Sequence, residues 1–205
     1  MHAPAPAAHA PLLPGLCDPV GDAQRVFRTL LAALSRPGVP RTLADLPAAP
    51  SPLHAATGAV LLTLADYETP LWLQTPTDEL AAWLRFHCGM PLLAAPEAAG
   101  FAVIDRPLAM PPLGAFAQGL PEYPDRSATL IVQVSGFAPD GLRLAGPGID
   151  GECRVGIAGL PAGFWRAWQD LQAHAPLGVD LLFVAGDAVL GMPRSTRVEI
   201  SGEGG

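Results

Sequence analysis

The sequence predicts an α/β protein, with helices on both faces of a mixed sheet in a three-layer α/β/α sandwich. Three observations lead there. Stretches of helical apolar period alternate along the chain with short apolar runs bounded by turn residues. The chain has 205 residues, half of them hydrophobic, which is ample for one core and too few for two comfortable domains. Within Pro176–Glu199, the run Val179–Val184 is short, β-branched and almost uniformly apolar, the pattern of a strand covered on both faces. With 22 glycines and 24 prolines the elements must be joined by many turns, and no internal repeat is present.

Residues 1–16 read as a Pro/Ala tail that stays mobile, because its prolines forbid a helix and its side chains bury little, leaving residues 17–205 as a single α/β domain. Val26, Phe27, Leu30, Leu31 and Leu34 recur at helical spacing, and Ser35-Arg36-Pro37-Gly38 ends that first helix. Ser51-Pro52 offers an N-cap and a first-turn proline for a second, largely buried helix running to about Ala65, closed by Asp66–Pro70. Leu71–Gln74 reads as a strand. Thr77-Asp78-Glu79 then caps a helix to about Cys88, stopped by Gly89-Met90-Pro91. Phe101–Asp105, Thr129–Val134 and Leu142–Ala145 are strands, and Pro161–Ala175 is a helix with Phe164, Trp165, Trp168 and Leu171 on one side. Between them, Pro107–Asp125 is predicted to be a long loop carrying function or an interface. Val179–Val184, the turn Ala185-Gly186-Asp187 and the alternating Arg197–Ile200 complete the chain.

Composition excludes several functions. A net charge of −7 argues against broad attraction to nucleic acid or an anionic membrane. All twelve basic Lys and Arg residues are arginine, so there is no lysine for a pyridoxal-phosphate Schiff base or a Walker-type phosphate loop. Cys17, Cys88 and Cys153 are scattered, which fits reduced thiols in a cytoplasmic protein and neither a disulfide framework nor a zinc site. No secretory signal or bilayer-spanning stretch is recognisable. Gly146-Pro147-Gly148-Ile149-Asp150-Gly151 matches G-x-G-x-x-G, but the residues after it lack helical period, so it is read as a glycine-rich turn. His87 and Cys88 are neighbours that point apart on a helix, and the histidines are too dispersed to argue for metal.

What remains is a set of polar groups at element ends: Asp66, Glu68 and Thr69; Arg85 and His87; and Arg194, Ser195, Thr196 and Arg197. They form no complete catalytic set. The blocks around them are Phe27-Arg28 with Leu34–Gly38, Leu64–Leu73, Arg85–Pro91, Gly146–Ile149, Pro176–Asp180 and Pro193–Val198. In these six collinear blocks the chain resembles the H subunit of the bacterial carbon-phosphorus lyase complex of phosphonate metabolism. The resemblance implies a trimmed pyridoxal-phosphate transferase fold without the cofactor. It also implies an assembly with the G, I and J subunits that makes ribose 1-alkylphosphonate 5-triphosphate from ATP and an alkylphosphonate. Two readings follow. In one, the chain is a non-catalytic or site-completing subunit, a homodimer when isolated, whose arginines hold a partner or a polyphosphate. In the other it is a self-contained enzyme or small-ligand-binding protein with a pocket of Arg85, His87, Arg194 and Arg197. Either way Arg194 and Arg197 are expected to serve function more than folding. The candidate self-association surfaces are the Trp165/Trp168 helix and the Pro107–Asp125 segment.

Overall fold

A computed structural model describes residues 12–199, so most of the Pro/Ala tail, and Ile200, lie outside the described residues. The helices are α1 (Pro19–Ser35), α2 (Ala55–Leu64), α3 (Asp78–Cys88) and α4 (Phe164–Gln172). The main sheet contains β1 (Arg41–Thr42), β2 (Leu71–Leu73), β3 (Leu92–Leu93), β4 (Phe101–Ile104), β7 (Thr129–Gln133), β10 (Asp180–Ala185) and β11 (Ala188–Met192), in the order β1-β11-β10-β7-β4-β2-β3. From β10 through β3 neighbouring strands are parallel, whereas β11 and β1 are antiparallel additions at one side. The sheet is therefore mixed, as its sequence patterning required.

Alternate side chains along the strands feed two cores. Val103, Ile131, Leu182, Val184 and Val189 pack with α1, α2 and α3 on one face. Ala102, Ile104, Leu130, Val132, Phe183 and Leu190 face the other way, toward Phe164 and Trp168 of α4. That second face is not covered by helix alone. A three-stranded sheet lies over it, ordered β12-β8-β9 and built from β8 (Gly136–Ala145), β9 (Cys153–Ala158) and β12 (Arg197–Glu199), and it contributes Leu144, Val155 and Val198 to the core. The strand expected at Leu142–Ala145 is thus the end of a ten-residue strand. The alternating Arg197–Glu199 run pairs with β8 rather than joining the main sheet.

Local chemistry explains most boundaries. Asp18 caps α1 by accepting from the amides of Val20 and Gly21, and Thr77 caps α3 by accepting from Leu80. Gly89 ends α3 in the left-handed conformation at φ 68°, a position that favours glycine. Helix α2 starts three residues later than Ser51-Pro52 suggests. Leu53 donates to the Pro50 carbonyl in a turn, and His54, not Ser51, is the N-cap residue. The stretch Pro107–Asp125 is more structured than a loop, with two 3-10 turns and a hairpin of β5 (Gln118–Leu120) and β6 (Tyr123–Ser127). The chain is tied down before Cys17, since the Leu13 carbonyl accepts from Trp83 Nε1 at 2.9 Å.

The glycine-rich segment after β8 is a turn, as its missing helix implied. A Cβ on Gly148, at φ 81°, would lie 2.2 Å from the Ser35 carbonyl oxygen, so only a bare backbone lets this turn close over the end of α1. Trp168 is fully buried in the core, and Trp165 is half-buried against it, packing on Phe164 and Phe183. Most of the indole face of α4 is therefore spent inside the molecule, and only part of Trp165 is left at the surface.

Candidate functional site

The register places Leu71, Phe101, Thr129 and Asp180 side by side, so the parallel strands all begin at one edge of the sheet. Strand β11 runs back and ends there, with Met192 opposite Leu181. The polar groups singled out from the sequence collect along this amino edge. They form two groups on it, because β10 and β2 are three strand spacings apart, about 14 Å.

At the β10/β11 end, Arg194 is bound on every side. Its amide donates to Asp180 Oδ1 at 2.8 Å and its Nε to the same oxygen at 3.2 Å. One terminal nitrogen pairs with Asp180 Oδ2, and the other donates to the Pro124 carbonyl at 2.6 Å. The guanidinium thus staples the start of β10, the end of β11 and the β5–β6 hairpin, a forked geometry that lysine could not reproduce. Thr196 is fully buried, and its carbonyl accepts from Trp168 Nε1 at 3.0 Å and from the Gln172 amide. Its Oγ1 has no partner among the described residues. Ser195 and Arg197 are exposed, and Arg197 enters none of the ion pairs among those residues.

At the β2 end, Asp66 organises its own loop. Its Oδ1 accepts from the Glu68 amide and the Thr69 hydroxyl, both at 2.9 Å, which is the usual way an aspartate shapes a turn. Glu68 is exposed, as is Arg85 in the last turn of α3. His87 faces inward, its Nε2 3.1 Å from the Leu13 carbonyl and its ring 5.0 Å from that of Trp83. Cys88 lies beneath this turn, and burial pushes its thiol up to about 11, which removes it as a nucleophile near neutral pH. Arg85 and Arg197 are accordingly the cations of the predicted set left free to meet another molecule.

The opposite, carboxyl edge holds groups that the sequence reading passed over. A cleft of about 510 Å³ opens there, lined among others by His54, Asp105, Arg106, Gln133 and Ser135. Two glutamines fix its walls. Gln133 at the end of β7 accepts from the His54 amide at 2.6 Å and donates to the Pro52 carbonyl at 3.0 Å. Gln74, just past β2, accepts from the Arg106 amide at 2.8 Å and donates to the Arg106 and Ala109 carbonyls. The signal that could have found this cleft is positional: in open α/β sheets, ligands sit beyond the carboxyl ends of parallel strands, and Asp105 and Ser135 each follow one.

The sequence also matches known proteins. Residues 14–199 match the model of the family described as bacterial phosphonate metabolism protein (PhnH). The chain is 40% identical over 185 residues to the alpha-D-ribose 1-methylphosphonate 5-triphosphate synthase subunit PhnH of Rhizobium meliloti (strain 1021), covering 89% of this chain and 92% of that protein. It is 36% identical over 183 residues to the putative C-P lyase subunit protein HtxG of Stutzerimonas stutzeri, covering 87% of each.

Proposed function

Because this chain belongs to the bacterial phosphonate metabolism protein family, we propose that it acts in organic phosphonate catabolism as a non-catalytic or site-completing subunit of a carbon-phosphorus lyase assembly. The observation that carries this reading is similarity over almost the whole length of a relative named as a synthase subunit. The assembly would form ribose 1-alkylphosphonate 5-triphosphate from ATP and an alkylphosphonate in the cytoplasm, with G, I and J subunits as partners. The isolated chain would be a homodimer, colourless and without a resident cofactor.

The geometry supports a docking role. Helix α1 buries Val26, Leu30 and Ala33, yet leaves Val20, Phe27 and Leu31 exposed at i, i+7 and i+11, a second apolar stripe facing outward. Arg85 with exposed Phe86 and Tyr67, and Arg197 on its edge strand, extend the surface available to a partner or a polyphosphate. The trimmed transferase architecture implied by the resemblance is supported by the parallel centre of the sheet and by helices on each face.

Co-expression with the G, I and J subunits followed by size-exclusion chromatography tests the proposal. The wild-type chain should co-elute, and the double variant Phe27→Asp/Leu31→Asp should elute alone with an unchanged melting temperature. A wild-type chain that never co-elutes, or a double variant that assembles normally, would overturn the subunit role or its placement on α1.

A further inference from the structure

Asp105 is the least explained charged residue in the fold. Its side chain is only 6% exposed and makes no hydrogen bond among the described residues. Its one ionic neighbour there is Arg106, whose Nε stands 3.8 Å away on a side chain 65% exposed. A guanidinium so well solvated, beyond hydrogen-bonding distance, compensates a buried carboxylate poorly. The carboxylate is nevertheless not sealed in. The hydroxyls of Thr57 and Thr196 are wholly enclosed and without a partner, whereas the unpartnered oxygens of Asp105 keep contact with solvent. Its small exposure is therefore spent at the oxygens, in the carboxyl-edge cleft that it lines.

The cleft gives this carboxylate no other donor. Gln133 has both ends of its amide committed, accepting from the His54 amide and donating to the Pro52 carbonyl. Arg106 is the reverse case, a fixed backbone carrying a free side chain. Gln74 accepts from its amide at 2.8 Å and donates to its carbonyl at 3.1 Å, while its guanidinium makes no hydrogen bond among the described residues. Two opposite charges thus stand side by side at one opening, each with bonding capacity unspent. Next to them Pro107, Leu108 and Val134 supply an apolar lining, and Leu108 is 74% exposed. The volume, about 510 Å³, lies within the range of roughly 300–1,000 Å³ usual for small-molecule sites.

We propose that this cleft binds a free α-amino acid with an apolar side chain, its ammonium donating to Asp105, its carboxylate accepting from Arg106 and its side chain lying against Leu108. The charge pattern rules out simpler ligands. An anion alone would be repelled by Asp105 and leave it without donors, and an amine alone would sit beside the Arg106 cation. A zwitterion carries both complements a few bonds apart and brings no net charge into a half-enclosed site. An aliphatic side chain then covers apolar surface that the fold leaves in water. The Gln74 clamp fixes the Asp105–Arg106 backbone before the ligand arrives, which lowers the ordering cost of binding. This site belongs to the chain itself and does not depend on its docking into an assembly.

The test is calorimetric titration of the purified chain with L-leucine and with three truncated probes: isoamylamine, which lacks the carboxylate, isocaproate, which lacks the ammonium, and glycine, which lacks the side chain. L-Leucine should bind at least about tenfold more tightly than each of them, the loss expected when a charge-assisted or apolar contact is removed. Asp105→Asn should weaken L-leucine about tenfold or more while leaving isocaproate no weaker. Arg106→Gln, at an exposed position that folding does not depend on, should weaken L-leucine to a similar degree while leaving isoamylamine no weaker, and it decides the matter if the first variant fails to fold. No binding of L-leucine up to about 10 mM would overturn the proposal. Isoamylamine binding more tightly than L-leucine would also overturn it, marking a site for a plain cation, as would variants that bind L-leucine like wild type.

Discussion

Arg194 and Arg197 stand three residues apart in one polar block, and the structure assigns them opposite roles. Sequence patterning treated both as functional and dispensable for folding. The Asp180 carboxylate and the Pro124 carbonyl instead make Arg194 part of the scaffold. Arg194→Ala should therefore destabilise the protein by about 1–3 kcal/mol, because it leaves a part-buried carboxylate unpaired, whereas Arg197→Ala should stay within about 0.5 kcal/mol. Urea unfolding of both variants decides this, and equal stabilities would refute the division. What could not be read in the sequence was Asp180 as partner, since an aspartate at a strand start fourteen residues away carries no local signature. Cys88 gives a second test at this scale. Its folded-state value near 11 exceeds the ordinary 9.0, so the folded protein holds a proton that the unfolded chain releases. That stability is complete below about pH 9 and is lost as pH rises from there toward about 11. Without lysine, few other groups titrate in this window, so Cys88→Ala should flatten the alkaline decline in chemical denaturation.

At the scale of elements, the helices were legible and several strands were not. Breakers marked the end of α1, and a cap and a breaker marked both ends of α3, because Thr77 and Gly89 act through bonds to residues three or four positions away, whereas the Asp18 cap of α1 was passed over. Strands β1 and β3 span two residues each and have no period to detect. Strand β6 reads Tyr-Pro-Asp-Arg-Ser and is held by its partner hairpin strand, not by an apolar face. The candidate site was half legible for the same reason: residues at predicted strand starts were noticed, while Asp105 was read as the end of a strand. The turn after β8 offers an element-scale prediction. Gly148→Ala would force a Cβ against the Ser35 carbonyl at a positive φ, and should cost at least about 2 kcal/mol by loosening β8 and β9 from the end of α1. A thermal midpoint equal to wild type would show that this turn can move aside.

For the molecule as a whole, both cores share one sheet, and the sheet is stitched in an order unlike that of the chain. Strand β10 pairs with β7 near the centre, β11 carries β1 on its far side, and a Cβ on Gly191 would lie 2.8 Å from the Ala33 backbone of α1. During translation, α1, β1 and β7 emerge long before residues 180–192 that join them. Until those residues clear the ribosome, β7 presents a bare apolar edge, and α1 and β1 lack their support on β11. The nascent protein should therefore depend on chaperones late in synthesis rather than early. A chain stopped after Ala175 should accumulate as aggregate, whereas one stopped after Glu199 should remain in solution. Fractionating the two translation products would show whether the last strands close the sheet or merely decorate it.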